Sequence, residues 1–253
     1  MTSRLQESEA GPSVADRGWR AVRATFGRCL LLSALAGSLA GSMPGAQAAD
    51  PSQFSEAERL LFVRPHLAAI APPARLHYRY QRSGTLQPAA TDQATLTLTG
   101  DGAGRSAAVD YLSDDRRLEL PAIDYVEQNP IILHFLEREV RQMKALAGGS
   151  VSFYRNRIRK ALAGDAAVRQ TQIDYGGRKV DGVEIRIDPY VDDPARSRFE
   201  QFAARYYLLV LSPEIPGEVY QLKAGLRDAA AGSRAGGIVH EEVLTFERRE
   251  QGG

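Results

Sequence analysis

The chain has 253 residues, with 32 Lys and Arg against 31 Asp and Glu, and one cysteine. That near-neutral balance argues against general nucleic-acid binding, which draws on a strong basic excess. One cysteine excludes a disulfide framework inside the chain.

The N-terminus reads as an export signal. Arg17, Arg20, Arg23 and Arg28 precede an apolar run from Cys29 to Ala40, and Ala46-Gln47-Ala48 has the small-residue form of a cleavage site. The run is shorter than the roughly 20 residues a membrane span needs. Phe26, Gly27 and Arg28 stand where a lipoprotein box would carry small residues before Cys29, so a lipid anchor is not expected. Cleavage near Ala48 leaves 205 residues (253 minus 48), which fits one domain over 49–253. That domain holds no cysteine, so thiol catalysis and disulfides are excluded from it. A bacterial periplasm is the expected location, since a domain of this size buries enough core without staples.

Ser55-Glu56-Ala57-Glu58 has the capping-box pattern of a short helix. Pro65, Pro72 and Pro73 then break the chain. Leu76, Tyr78 and Tyr80 alternate with polar residues, the period of a half-buried strand. Thr91 to Thr99 and Ala107 to Leu112 read as a hairpin, and Arg116 to Leu120 as a third strand. Two helices follow, from Asn129 to Gly149 and from Ser150 to about Ala163. Strand signals resume at Thr171 to Tyr175. Gly176-Gly177 and Asp181-Gly182 read as turn dipeptides on the way to Val183, Ile185 and Ile187. Asp193-Pro194 opens a predicted helix that carries Phe199, Phe202, Ala203 and Tyr206. "YYLLVLS", Val219 to Leu226 and Ile238 to Phe246 read as strands, with a loop from Asp228 to Gly237. The sum predicts an α+β domain: a curved antiparallel β-sheet, an incomplete barrel, with one face covered by a central helical hairpin.

The first of the two central helices carries the candidate site. Asn129 can cap it, Pro130 suits its first turn and Gly148-Gly149 stops it. Phe135, Leu136, Val140 and Met143 share one apolar arc, wide enough to be buried. That arc either fills a core or roofs an apolar cavity. His134, Glu137, Arg138, Arg141 and Lys144 fall on the opposite arc. Glu139 is the exception, a carboxylate between Phe135 and Met143, where burial is costly without a partner. It is a candidate ligand-binding or catalytic acid, or else a structural ion pair with Arg155 or Arg159. The second helix carries Arg155, Arg157, Arg159 and Lys160, a basic patch that could meet acidic headgroups or an acidic envelope partner, or be a solvated face.

Catalytic signatures are missing. His66, His77, His134 and His240 show no metal-ligand spacing, and no nucleophile elbow, phosphate loop or zinc-protease motif occurs, so no cofactor is expected. His240 and Glu242 share one face of a strand, a weak metal or acid/base hint.

"RKVDGVEIRIDP" (Arg178 to Pro189), the hairpins on each side of it and the helix Ile131 to Ala147 resemble the lipoprotein-carrier group of periplasmic proteins. "NPIILHFLEREV" and "SPEIPGEVYQLKA" also have the look of an uncharacterised bacterial exported family. The resemblance implies a half-barrel that holds a lipid or a lipoprotein acyl chain under a helical lid. It gives the leading expectation: a non-catalytic carrier for an apolar or amphipathic ligand, bound at Phe135, Leu136, Glu139, Val140 and Met143. The alternatives are an envelope accessory or scaffold protein with a filled core, and a hydrolase using Glu139 or the His240 region.

Overall fold

The computed structural model describes residues 53–101, 104–194, 196–228 and 238–252. The expected export signal and most of the loop after Asp228 lie outside them. The elements in chain order are α1 (Glu56–Glu58), β1 (Ala74–Gly84), β2 (Ala90–Thr99), β3 (Ser106–Tyr111), β4 (Ile123–Asp124), α2 (Ile131–Ala147), α3 (Val151–Lys160), β5 (Ala167–Tyr175), β6 (Arg178–Ile187), β7 (Arg205–Leu211), β8 (Val219–Arg227) and β9 (Ile238–Gln251).

The nine strands form one sheet in the order β4-β3-β2-β1-β9-β8-β7-β6-β5, and every neighbouring pair is antiparallel. The last strand thus lies between β1 and β8 and joins the two halves. The sheet is open, with β4 and β5 at its edges. It is also bent. Four strand steps separate β5 from β9, about 19 Å on a flat sheet at ~4.8 Å per step. Yet the rings of Tyr175 and Phe246 lie 6.1 Å apart, so the tip of the β5–β6 hairpin curls back over the middle of the sheet.

Alternation sets the inner face. Leu76, Tyr78 and Tyr80 of β1, Leu244 and Phe246 of β9, Leu222 and Ala224 of β8, and Tyr207 and Leu209 of β7 are buried together. The helices α2 and α3 lie on that face. Asn129 docks the start of α2: its Oδ1 accepts from Ile131 N at 3.1 Å, and its Nδ2 donates to Tyr78 Oη and Gly217 O, each at 2.9 Å. Ser150 caps α3 by accepting from Phe153 N at 3.1 Å. Ser55 completes the capping box of α1, and its hydroxyl donates to Leu162 O at 2.7 Å.

Four local expectations differ from the structure. Arg116 to Leu120 does not form a strand, because Asp92 accepts from Ser113 and Arg116 and holds the chain in a 3-10 turn over Asp114–Arg116. Asp181-Gly182 is not a turn but the middle of β6, where a Cβ on Gly182 would stand 2.5 Å from Ile173 Cδ1. The helix expected after Asp193 is reduced to 3-10 turns over Arg196–Arg198 and Glu200–Ala204. Tyr206 belongs to β7, whose pairing with both β6 and β8 outweighs the helical spacing. Finally, β9 runs on to Gln251, well past Phe246, because β1 offers it a partner along its whole length.

Candidate functional site

The site grows from two adjacent residues of α2. Glu139 points into the sheet among Phe135, Leu136, Val140 and Met143, all buried. Its Oε2 accepts from Arg205 of β7, from Nε at 3.1 Å and from Nη2 in a shorter contact. Arg138 stands beside it. The helical spacing assigned Arg138 to the solvent side, but its guanidinium reaches under the helix to Glu242 of β9, forms an ion pair there, and donates to Glu139 Oε1 at 3.3 Å. Its Nη2 meets Tyr80 Oη at 3.3 Å, and Gln142 Nε2 donates to Glu242 Oε1 at 3.0 Å. His240 Nε2 lies 3.2 Å from Glu242 Oε1. Two crossed ion pairs therefore pin one turn of α2 to β7 and β9.

The partner expected for Glu139 was on the next helix, and the structure corrects it. Arg155 instead donates to both oxygens of Glu137, at 3.1 and 3.0 Å, and Arg157 pairs with Asp193 at 2.9 Å. Glu137 and His134 are buried as well, because α3 and the ring of Tyr111 cover them. The basic patch is thus divided: Arg155 and Arg157 serve ion pairs within the fold, while Arg159 and Lys160 remain exposed.

Electrostatics follow from enclosure. Glu139, Arg205, His240 and Glu242 are each 0% exposed, where an ion is tolerated only if its neighbours replace water. Burial raises the Glu139 carboxyl above its usual range, against the pull of the Arg205 charge. Burial acts on Glu242 in the same direction, but the His240 hydrogen bond and the Arg138 charge more than reverse it and hold that carboxyl well below its usual range. Of the two carboxyls, Glu139 therefore takes its proton on acidification before Glu242 does. Burial also pushes the Tyr80 and Tyr207 hydroxyls up, so both stay protonated and can donate.

The hollows on the surface of the described residues include the following two. One of about 390 Å³ is lined by Gln81, Arg82, Ser83, Thr91, Glu241 and Val243, and one of about 280 Å³ lies between Ser55 and Val168. Neither is lined by a residue of α2. Among the described residues no group of His, Cys, Asp and Glu is placed to hold a metal ion, and no helix is long and apolar enough to cross a membrane.

No protein-family model and no curated protein matches the chain. The solved structures similar to it, all distantly, include the following two. The lipoprotein LppX of Mycobacterium tuberculosis aligns at 10% identity over 71% of this chain and 87% of that one, with a TM-score of 0.30. A beta-barrel-like protein of a domain of unknown function from Brucella abortus aligns at 9% identity over 72% of this chain and 98% of that one, with a TM-score of 0.20. Overlaps this weak leave the fold to rest on the strand order and register alone.

Arg205 is the residue that sequence reasoning missed. It stood at the end of a predicted helix. The signal that finds it is the alternation of Arg205, Tyr207, Leu209 and Leu211, all buried on one face.

Proposed function

We propose that the protein is a non-catalytic binding or carrier protein of the bacterial periplasm, and that its ligand is apolar or amphipathic, such as a lipid or a lipoprotein acyl chain. One observation carries this reading. The concave face of an open, bent sheet is covered by a single layer of helices, and α2 turns a continuous apolar stripe toward it. The ligand would lie between the sheet and Phe135, Leu136, Val140 and Met143, in a state where α2 stands further from β8 and β9. Exposed Arg159 and Lys160 would meet acidic headgroups or an acidic envelope partner. Glu139 and His240 are each bonded to a partner within the fold, Arg205 and Glu242, which supports a non-catalytic role.

A second reading is favoured by a different observation. Phe135, Leu136, Val140 and Met143 are already packed in a closed interior, as in an accessory or scaffold protein with a filled core. Native mass spectrometry and lipid extraction of the protein purified from a periplasm separate the two. A co-purifying lipid-like mass is expected. A ligand-free protein that also takes up no lipid from vesicles would overturn the carrier reading in favour of the scaffold.

A further inference from the structure

The helical layer separates its charges. Over 131–164 the chain carries seven Lys and Arg against two carboxylates, Glu137 and Glu139, whereas the rest of 49–253 has 20 basic and 26 acidic residues. Both carboxylates of the layer are turned inward: Glu139 is fully enclosed and Glu137 is 6% exposed. No carboxylate over 131–164 therefore reaches the solvent side, and the exposed Asp165 begins only where the layer ends. The cations stay outside and close together. Arg141 Nε and Arg155 Nη2 both donate to Glu137 Oε1, at 3.3 and 3.1 Å. Lys144 stands one turn from Arg141 along α2, and Arg159, with Lys160 beside it, one turn from Arg155 along α3. Lys144, Arg159 and Lys160 are exposed and make no ion pair among the described residues. Five cations thus surround one carboxylate.

We propose that the outer face of α2 and α3 docks the protein on the anionic headgroups of a lipid bilayer. The inference rests on the carrier reading and names the surface on which the carrier would exchange its ligand. A field of like charge attracts an anionic leaflet, each Lys or Arg near the surface strengthening the contact several-fold. The choice of a bilayer over an acidic protein follows from two features. Lys144, Arg159 and Lys160 are long side chains held by no partner, so they suit a diffuse layer of charge better than fixed carboxylates. The corner between the helices, Ala145 to Phe153, carries no charge. Its Leu146, Val151 and Phe153 are only partly buried, and an uncharged corner flanked by cations can settle at headgroup depth. The bilayer would then lie against the layer that covers the apolar stripe of α2, so docking and opening would take place on one side of the molecule.

Flotation with phosphatidylcholine vesicles, with and without phosphatidylglycerol, tests this on the protein as purified. It is expected to float with the anionic vesicles only, and to be released at high salt. Lys144→Gln combined with Arg159→Gln and Lys160→Gln is expected to weaken that binding about a hundredfold, with the fold retained by circular dichroism. Arg75→Gln combined with Arg178→Gln and Lys179→Gln removes as much charge from exposed positions on β1 and β6 and is expected to leave vesicle binding unchanged. Equal binding to neutral vesicles, equal loss in the two triple variants, or no binding to any vesicle overturns the docking face. Polyglutamate bound as tightly as the anionic vesicles also overturns it, and assigns the face to an acidic protein partner. Lipid extracted from the purified protein reads the carrier function separately. A lipid-loaded protein that does not float keeps the carrier reading and loses the docking face, and a lipid-free protein that floats with anionic vesicles alone does the reverse.

Discussion

At the scale of single residues, the Glu139–Arg205 pair is expensive to break and cheap to remove together. Removing one partner leaves a buried charge alone, which typically costs about 3–5 kcal/mol, whereas an apolar pair of similar volume is often neutral or better. Arg205→Met should therefore destabilise the protein by about 3–5 kcal/mol, and adding Glu139→Met should restore most of that loss. Urea unfolding of both variants checks it; equal losses in the single and double variants would contradict the pairing. Glu242 supplies a pH test. Its folded-state carboxyl is held below the ordinary value of 4.5, so it contributes stability that is present above that pH and lost as the pH falls below it. Glu242→Gln should flatten the acid limb of a stability–pH profile between pH 3 and 5. Glu139 acts with the opposite sign, because its raised folded value favours the protonated form at low pH. Of this chemistry the sequence shows the odd carboxylate on an apolar arc, and it shows that His240 and Glu242 share a face. It does not show the partners. Arg205 is 66 positions from Glu139 and Glu242 is 104 from Arg138, and only the strand order brings them together.

At the scale of elements, local chemistry is legible where one residue decides it. Ser55 and Glu58, Asn129, Gly148 and Ser150 mark helix ends in the sequence and act there in the structure. Ser150→Ala should cost about 1 kcal/mol, the usual worth of such a cap, read as a shift of the urea midpoint at constant slope. The elements that were misread are those where a distant partner overrides local preference. Asp92 captures the stretch expected as a strand after Ser113, and β6 and β8 recruit residues of helical spacing into β7. One glycine shows how close that recruitment is. A Cβ on Gly225 would stand 2.2 Å from Tyr206 Cζ, and Tyr206 lies between the guanidinium groups of Arg186 and Arg227, 4.3 and 5.4 Å from its centroid. Gly225→Ala should destabilise by about 1–3 kcal/mol in the native background and by much less when Tyr206 is first cut to Ser.

At the scale of the whole molecule, the class was legible because hairpin signals outnumber strand–helix–strand alternations. The strand order was not. Nothing local says that β9 inserts between β1 and β8, or that the β5–β6 tip bends back to Phe246. Those contacts make the bowl on which α2 and α3 rest. A carrier function requires that cover to move. The apolar stripe of α2 is closed in this structure, and a chain-like ligand can enter only if α2 leaves the sheet while the sheet persists. Native-state hydrogen exchange tests this most directly. The account predicts that the amides from Leu136 to Met143 exchange by a local opening, well before those of β1 and β9, and are slowed by decanoate. Exchange of α2 only together with the central strands, unchanged by any amphiphile, would contradict it and leave a filled core with no ligand to carry.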